Sequence, residues 1–115
     1  MRHAWLVFFL VIAVGGAVAS RAMSGAAEAV NARGAAELYA KECASCHGRD
    51  GRAKTFKAKF NHARNLTDPE WQARVSDERI FNSIMNGKGK MPAFAKKLSE
   101  QEINSLVAYV RGLKR

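Results

Sequence analysis

The chain holds only two cysteines, Cys43 and Cys46, and His47 directly follows the second in the run CASCH. Two thiols and an imidazole at this spacing bear on four chemistries: a disulfide, a redox dithiol, a zinc corner, or covalent attachment of haem. A disulfide across two residues is strained and closes almost no loop. A redox dithiol needs a preceding strand and a parallel sheet, and neither pattern is present. Zinc would have to take Cys43, Cys46, His47 and His62, but adjacent Cys46 and His47 are poorly placed for two corners of one tetrahedron. Haem attachment uses every residue of the run. On a helical turn, positions 43, 46 and 47 are i, i+3 and i+4, so both sulfurs and the imidazole lie on one side. The thiols can then add to two porphyrin vinyl groups while His47 reaches the iron, giving one covalently attached haem c.

The second axial ligand decides whether such an iron carries electrons or binds substrate. The candidates are Met23, Met85, Met91 and His62. Met23 precedes the domain, and Met85 falls in an apolar stripe with Ile80, Phe81 and Ile84, where a methionine packs as core. His62 lies in a basic loop and is the rival ligand. Met91 follows two glycines and precedes Pro92, which biases it toward an extended loop from which a thioether can turn inward. Met91 is therefore the expected distal ligand.

The elements that must position these groups are helical. Residues 1–19 have a basic start, eleven apolar residues from Ala4 to Val14, and a small-x-small pair at Ala17 and Ala19, the anatomy of an export signal. A retained anchor is the alternative, although the nonpolar run to Ala19 is shorter than the roughly 20 residues of a spanning helix. Residues 20–31 read as a flexible leader, and 32–115 as one domain. From Ala32, the residues Ala35, Leu38, Tyr39 and Cys43 recur at helical steps. The stretch from Gly48 to Leu66 shows no sustained period and reads as a long loop. Thr67 with Glu70 reads as a capping box with Pro69 in the first turn. A third helix opens at Ser76 or Asp77 and stops at Asn86 and Gly87. Ser99 and Glu102 cap a last helix carrying Ile103, Leu106, Val107, Val110 and Leu113. No stretch alternates long enough for a strand, so the class is all-α, about four helices around a bound group that completes a thin core.

CASCHG after a helix, NGKGKMPAF farther on and LVAYVRGL at the end together resemble the class I cytochromes c, over residues 32–115. The resemblance implies a helical fold around one haem, with Cys43 and Cys46 as thioether attachments, His47 proximal and Met91 distal. It also implies a close crossing of first and last helices, in which Gly34 and Tyr39 meet Leu106 and Tyr109. One departure stands out. Many relatives have a Gly-Pro-x-Leu loop whose proline carbonyl accepts the proximal histidine's other N–H, and here only Pro69 and Pro92 exist. A carbonyl between Arg52 and Leu66 has to substitute. Arg64, Asn65 and Trp71 are candidates to bind a haem propionate.

Lys and Arg outnumber Asp and Glu by 19 to 10, a formal charge of +9. Arg49, Arg52, Lys54, Lys57, Lys59, Arg64, Lys88, Lys90, Lys96 and Lys97 can ring an exposed haem edge and steer redox proteins with acidic docking surfaces, such as a membrane respiratory complex or oxidase. Nucleic acid does not fit an exported haem protein, whereas weak membrane association does. The expected molecule is a periplasmic, monomeric one-electron carrier and not an enzyme; the alternative is a haem peroxidase or gas sensor with a labile distal ligand. Cys46→Ala is expected to impair haem attachment and lower the yield of folded protein. A normal yield of folded, haem-free protein on expression and purification would contradict this.

Overall fold

Alanine-rich sequence and apolar residues at three- and four-residue steps build a wholly helical scaffold. The computed structural model describes residues 20–115, with side chains from residue 31 onward, and the expected export signal at 1–19 lies outside the described residues. Six helices follow in order: α1 (Ser20–Glu42), α2 (Ala44–His47), α3 (Phe56–Asn61), α4 (Pro69–Arg74), α5 (Asp77–Asn86) and α6 (Glu100–Gly112). Among the described residues there is no strand, only an isolated bridge between Lys88 and Met91. The described helix already runs at Ser20, so the segment 20–31 is helical backbone and not an irregular leader. Its alanines favour the helix intrinsically even without an apolar face.

The core forms where α1, α5 and α6 meet. Ile103 is completely buried, and Tyr39, Leu106, Val107, Val110, Ile80 and Ile84 join it. Tyr39 of α1 faces Tyr109 of α6 with ring centroids 4.8 Å apart. This is the helix crossing expected from the sequence, with one correction: Gly34 is exposed, and a Cβ added there would meet nothing within 4 Å. Close packing does not call for a glycine at that position.

The helix ends follow the side chains that can satisfy free backbone groups. Ser76 accepts the Arg79 N–H, and Ser99 with Glu102 forms a complete capping box. The start of α4 departs from expectation, since its cap is Asp68, which accepts from the N–H groups of Glu70 and Trp71. The Thr67 hydroxyl instead donates to Asn65 Oδ1 at 2.8 Å. With Pro69 in the first turn, the residue just before it is the cap, and a carboxylate there also complements the helix dipole.

The expected long loop contains α3. Thr55 Oγ1 accepts the Ala58 N–H, and His62 closes the helix in the left-handed conformation with φ of 51°. Periodicity could not find this helix because its large apolar residues face outward. Ile103→Ala is expected to lower stability by about 2–5 kcal/mol, since a fully buried side chain would leave a cavity among α1, α5 and α6. The midpoint of denaturant unfolding followed by circular dichroism measures it.

Candidate functional site

The first helix delivers the CASCH run with almost no break. Cys43 N–H donates to the Tyr39 carbonyl at 2.9 Å, and the Cys43 carbonyl accepts from Cys46 N–H at 3.2 Å and His47 N–H at 3.0 Å. Cys43, Cys46 and His47 therefore sit on one helical turn, the i, i+3, i+4 arrangement that places three side chains on one side. Tyr39 Oη donates to the Gly48 carbonyl at 2.8 Å and ties the end of the run to the core. Burial raises the pKa of that phenol.

Both cysteines are free and half-buried. Burial first, then the Glu42 carboxylate, pushes the Cys43 thiol up to about 11, so it is not the low-pKa thiolate that drives a redox dithiol. Among the described residues, no group of three or more His, Cys, Asp or Glu is placed to hold a metal ion. His62, the fourth ligand that a zinc corner would need, is the exposed C-cap of α3.

His47 Nδ1 lies 2.9 Å from the Arg64 carbonyl oxygen. A carbonyl can only accept, so Nδ1 carries the proton and Nε2 keeps its lone pair. Burial lowers the imidazole's pKa, partly countered by the Arg64 bond, and favours the neutral form that a metal needs. Arg64 thus supplies the carbonyl that the absent proline would have supplied. Arg64-Asn65-Leu66 keeps the spacing of Pro-x-Leu, and that was the available signal.

Side chains far away in sequence hold this loop. Leu66 N–H donates to the Gly51 carbonyl at 2.7 Å. Gln72 is buried, and its Nε2 donates to the carbonyls of Leu66 at 2.9 Å and Val110 at 2.8 Å. Arg111 of α6 closes the clasp, donating to the Gln72 carbonyl and Oε1, to the Val75 carbonyl, and to Asp77 Oδ1. Neither Gln72 nor Arg111 stood out in the sequence, because their partners lie 38 and 39 residues away.

Met91 occupies a turn closed by two bonds to Lys88, at 3.1 and 3.0 Å. It is half-buried and packs on the same core cluster as Cys43. Gly87 makes the turn possible: its φ is +75°, and a Cβ there would come within 2.7 Å of the Met91 carbonyl. Phe94 and Ala95 N–H groups donate to the Ile84 and Met85 carbonyls and fasten the turn to α5. Met85 packs on the core, as its stripe indicated. Of the propionate candidates, Asn65 Oδ1 is engaged with Thr67, Trp71 packs on the core and Arg64 is exposed. Of the basic residues, Lys97 is paired with Glu42 at 2.6 Å and Arg52 with Asp50 at 3.8 Å.

Paired thiols and an imidazole on one helical turn of an all-α domain define a class: a domain that carries covalent haem. The chain belongs to the cytochrome c family, since residues 30–110 match the model of the cbb3-type cytochrome c oxidase subunit III. It is 36% identical over 96 residues to the cbb3-type cytochrome c oxidase subunit FixP of Azorhizobium caulinodans, which covers 81% of this chain and 31% of that protein. The chain thus spans about a third of that relative's length. Cytochrome c6 of Nostoc sp. is 31% identical over 104 residues, 90% of both chains. In three dimensions the chain is similar to the c-type cytochrome KustC0563, with TM-score 0.66 and 40% identity, covering 70% of this chain and 98% of that one. The cofactor of the family is covalently bound haem c, and its role is to carry electrons. Gln72→Leu is expected to cost about 1–3 kcal/mol, because the Leu66 and Val110 carbonyls and Arg111 lose a buried partner. Denaturant unfolding of the haem-loaded protein measures it.

Proposed function

We propose that the chain is a one-electron carrier in which Cys43 and Cys46 hold haem c through thioethers, with His47 as proximal and Met91 as distal iron ligand. Bound haem c supplies a ferrous/ferric couple, and a His/Met pair gives it a higher potential than two histidines would. Every other function falls to the chain. The Arg64 carbonyl keeps the Nδ1 proton in place and aims Nε2, while the clasp of Gln72 and Arg111 holds the loop that carries Arg64. The buried side chains of α1, α5 and α6 exclude water on the protein side.

The observation that carries this reading is the hydrogen-bonded turn that holds Met91. Its backbone is held by two bonds to Lys88, with Gly87 close against its carbonyl, and this supports a fixed position for the ligand. With both axial positions filled, the carrier needs no catalytic side chain. Its partners are redox proteins with acidic docking surfaces, such as a respiratory oxidase of the cbb3 type named for its relatives. Residues 1–19 direct it to the periplasm, where it acts as a monomer. Among the described residues no helix is long and apolar enough to cross a membrane.

A redox-titrated absorption spectrum of the purified protein tests ligation and potential together. The reduced protein is expected not to bind carbon monoxide at neutral pH; ready binding would favour a gas sensor or peroxidase. Met91→Ala is expected to keep the covalent haem, lower the potential and open the iron to carbon monoxide. An unchanged reduced spectrum in that variant would assign the distal position to His62.

A further inference from the structure

We propose that the ion pair between Glu42 and Lys97 is a latch that holds the strap carrying Met91 against the helix carrying the attachment cysteines, so that both residues position Met91. The inference rests on Met91 as distal ligand and adds the contact that keeps the two halves of the site together. Glu42 is the last residue of α1 and the neighbour of Cys43, whereas Lys97 lies 55 residues away on the strap 87–98 that joins α5 to the cap of α6. Lys97 Nζ donates to Glu42 Oε2 at 2.6 Å.

Among the described residues, no backbone bond of the strap reaches α1. Lys88 and Met91 bond to each other, Phe94 and Ala95 donate to the Ile84 and Met85 carbonyls of α5, and Lys97 and Leu98 donate to the Phe94 carbonyl. Two side-chain hydrogen bonds leave the strap: Lys90 to the Phe60 carbonyl of α3, and Lys97 to Glu42. Only the second joins the strap to the helix that delivers CASCH. Phe94 and Leu98 are buried on either side of Lys97, so the main chain that carries the lysine is fixed close to the core.

Burial makes the pair unequal. The Glu42 side chain is 8% exposed and that of Lys97 58%. The atoms that cover Glu42 are the protein's own, so a bound haem can only add to that cover. A carboxylate so withdrawn from water depends on its cation, and losing the partner leaves a buried charge uncompensated. Lys41 does not replace it, since its Nζ lies 3.9 Å from Glu42 Oε1, beyond hydrogen-bonding distance. Nor does α1 call for an acid there, because a negative charge at the C-terminal end of a helix opposes the helix dipole. The carboxylate is explained by what it holds. Without the pair, the strap keeps its bonds to α5 and α3 and loses its hold on α1, so Met91 leaves more easily while the core stays packed.

The test uses the haem-loaded full chain in the ferric state. Neutral imidazole, at concentrations that saturate the rate, displaces the distal ligand at a rate set by the departure of Met91. Lys97→Gln and Glu42→Gln are each expected to raise this limiting rate roughly tenfold. Lys97→Arg keeps the charge and Lys96→Gln removes an exposed neighbour, and both should stay within about twofold of the parent. Glu42→Gln with Lys97→Gln should be no faster than Lys97→Gln alone, because the two residues act through one contact. Hydrogen exchange reads the strap without reference to the iron: the amides of Lys97 and Leu98 should exchange faster in Lys97→Gln, and those of Leu106 and Val107 in α6 should not change. Equal acceleration by Lys96→Gln, multiplied effects in the double variant, or faster exchange spread equally to Leu106 and Val107 overturns the proposal. The two readings fail separately. An unchanged reduced spectrum in Met91→Ala removes the ligand and the inference with it, whereas flat limiting rates with Met91 ligation intact overturn the latch alone.

Discussion

The arrangement of the site depends on one hydrogen bond, from His47 Nδ1 to the carbonyl of Arg64. Burial alone would neutralise the imidazole without choosing which nitrogen keeps the proton. The carbonyl makes that choice, because it cannot donate. A main-chain oxygen is only as well placed as the loop that carries it, and this loop is tied down on both sides. Leu66 is bonded to Gly51 on one side and to Gln72 on the other, and Gln72 is gripped by Arg111 near the end of α6. The orientation of an imidazole near the start of the domain is thus maintained by a guanidinium near its end.

The methionine side of the proposed site is held by a different means. Within the turn itself no buried polar side chain takes part; backbone sterics do the positioning. Gly87 lies so close to the Met91 carbonyl that any side chain would force the turn apart, and the next two bonds fasten the strap to the last turn of α5. One half of the site rests on a satisfied polar network and the other on a missing Cβ. They differ accordingly in what disturbs them: loss of a buried partner on the first, added volume on the second.

What could be read in the sequence follows the same division. Local signals were legible: the i, i+3, i+4 spacing of CASCH, the Ser99 capping box, and the apolar stripes of α5 and α6 all lie within a few residues of one another. The Tyr39–Tyr109 contact was reached only through the family resemblance. Features that depend on distant partners were not legible. Arg64 acts through its backbone, so its side chain advertises nothing, and Gln72 and Arg111 look like ordinary surface residues until the fold brings them together. Helix α3 escaped because it presents its phenyl rings to solvent, the reverse of the pattern that identifies a helix. Gly34 misled in the opposite sense, since a glycine in a helix suggested a tight crossing where there is open space.

The pairing of α1 with α6 also bears on how the domain forms as it is made. Tyr39 and Ala44, which back the cysteines, belong to one cluster with Ile103, Leu106 and Val110. The main-chain N–H of Arg115 still reaches back to the Thr67 carbonyl at 3.2 Å. A chain still being synthesised has made CASCH long before it has made the helix that supports it. Closing so long a loop costs entropy that only the completed contact returns. The cysteines are therefore exposed on an unbacked helix until α6 has been made, and protection of the motif comes with the docking of that helix.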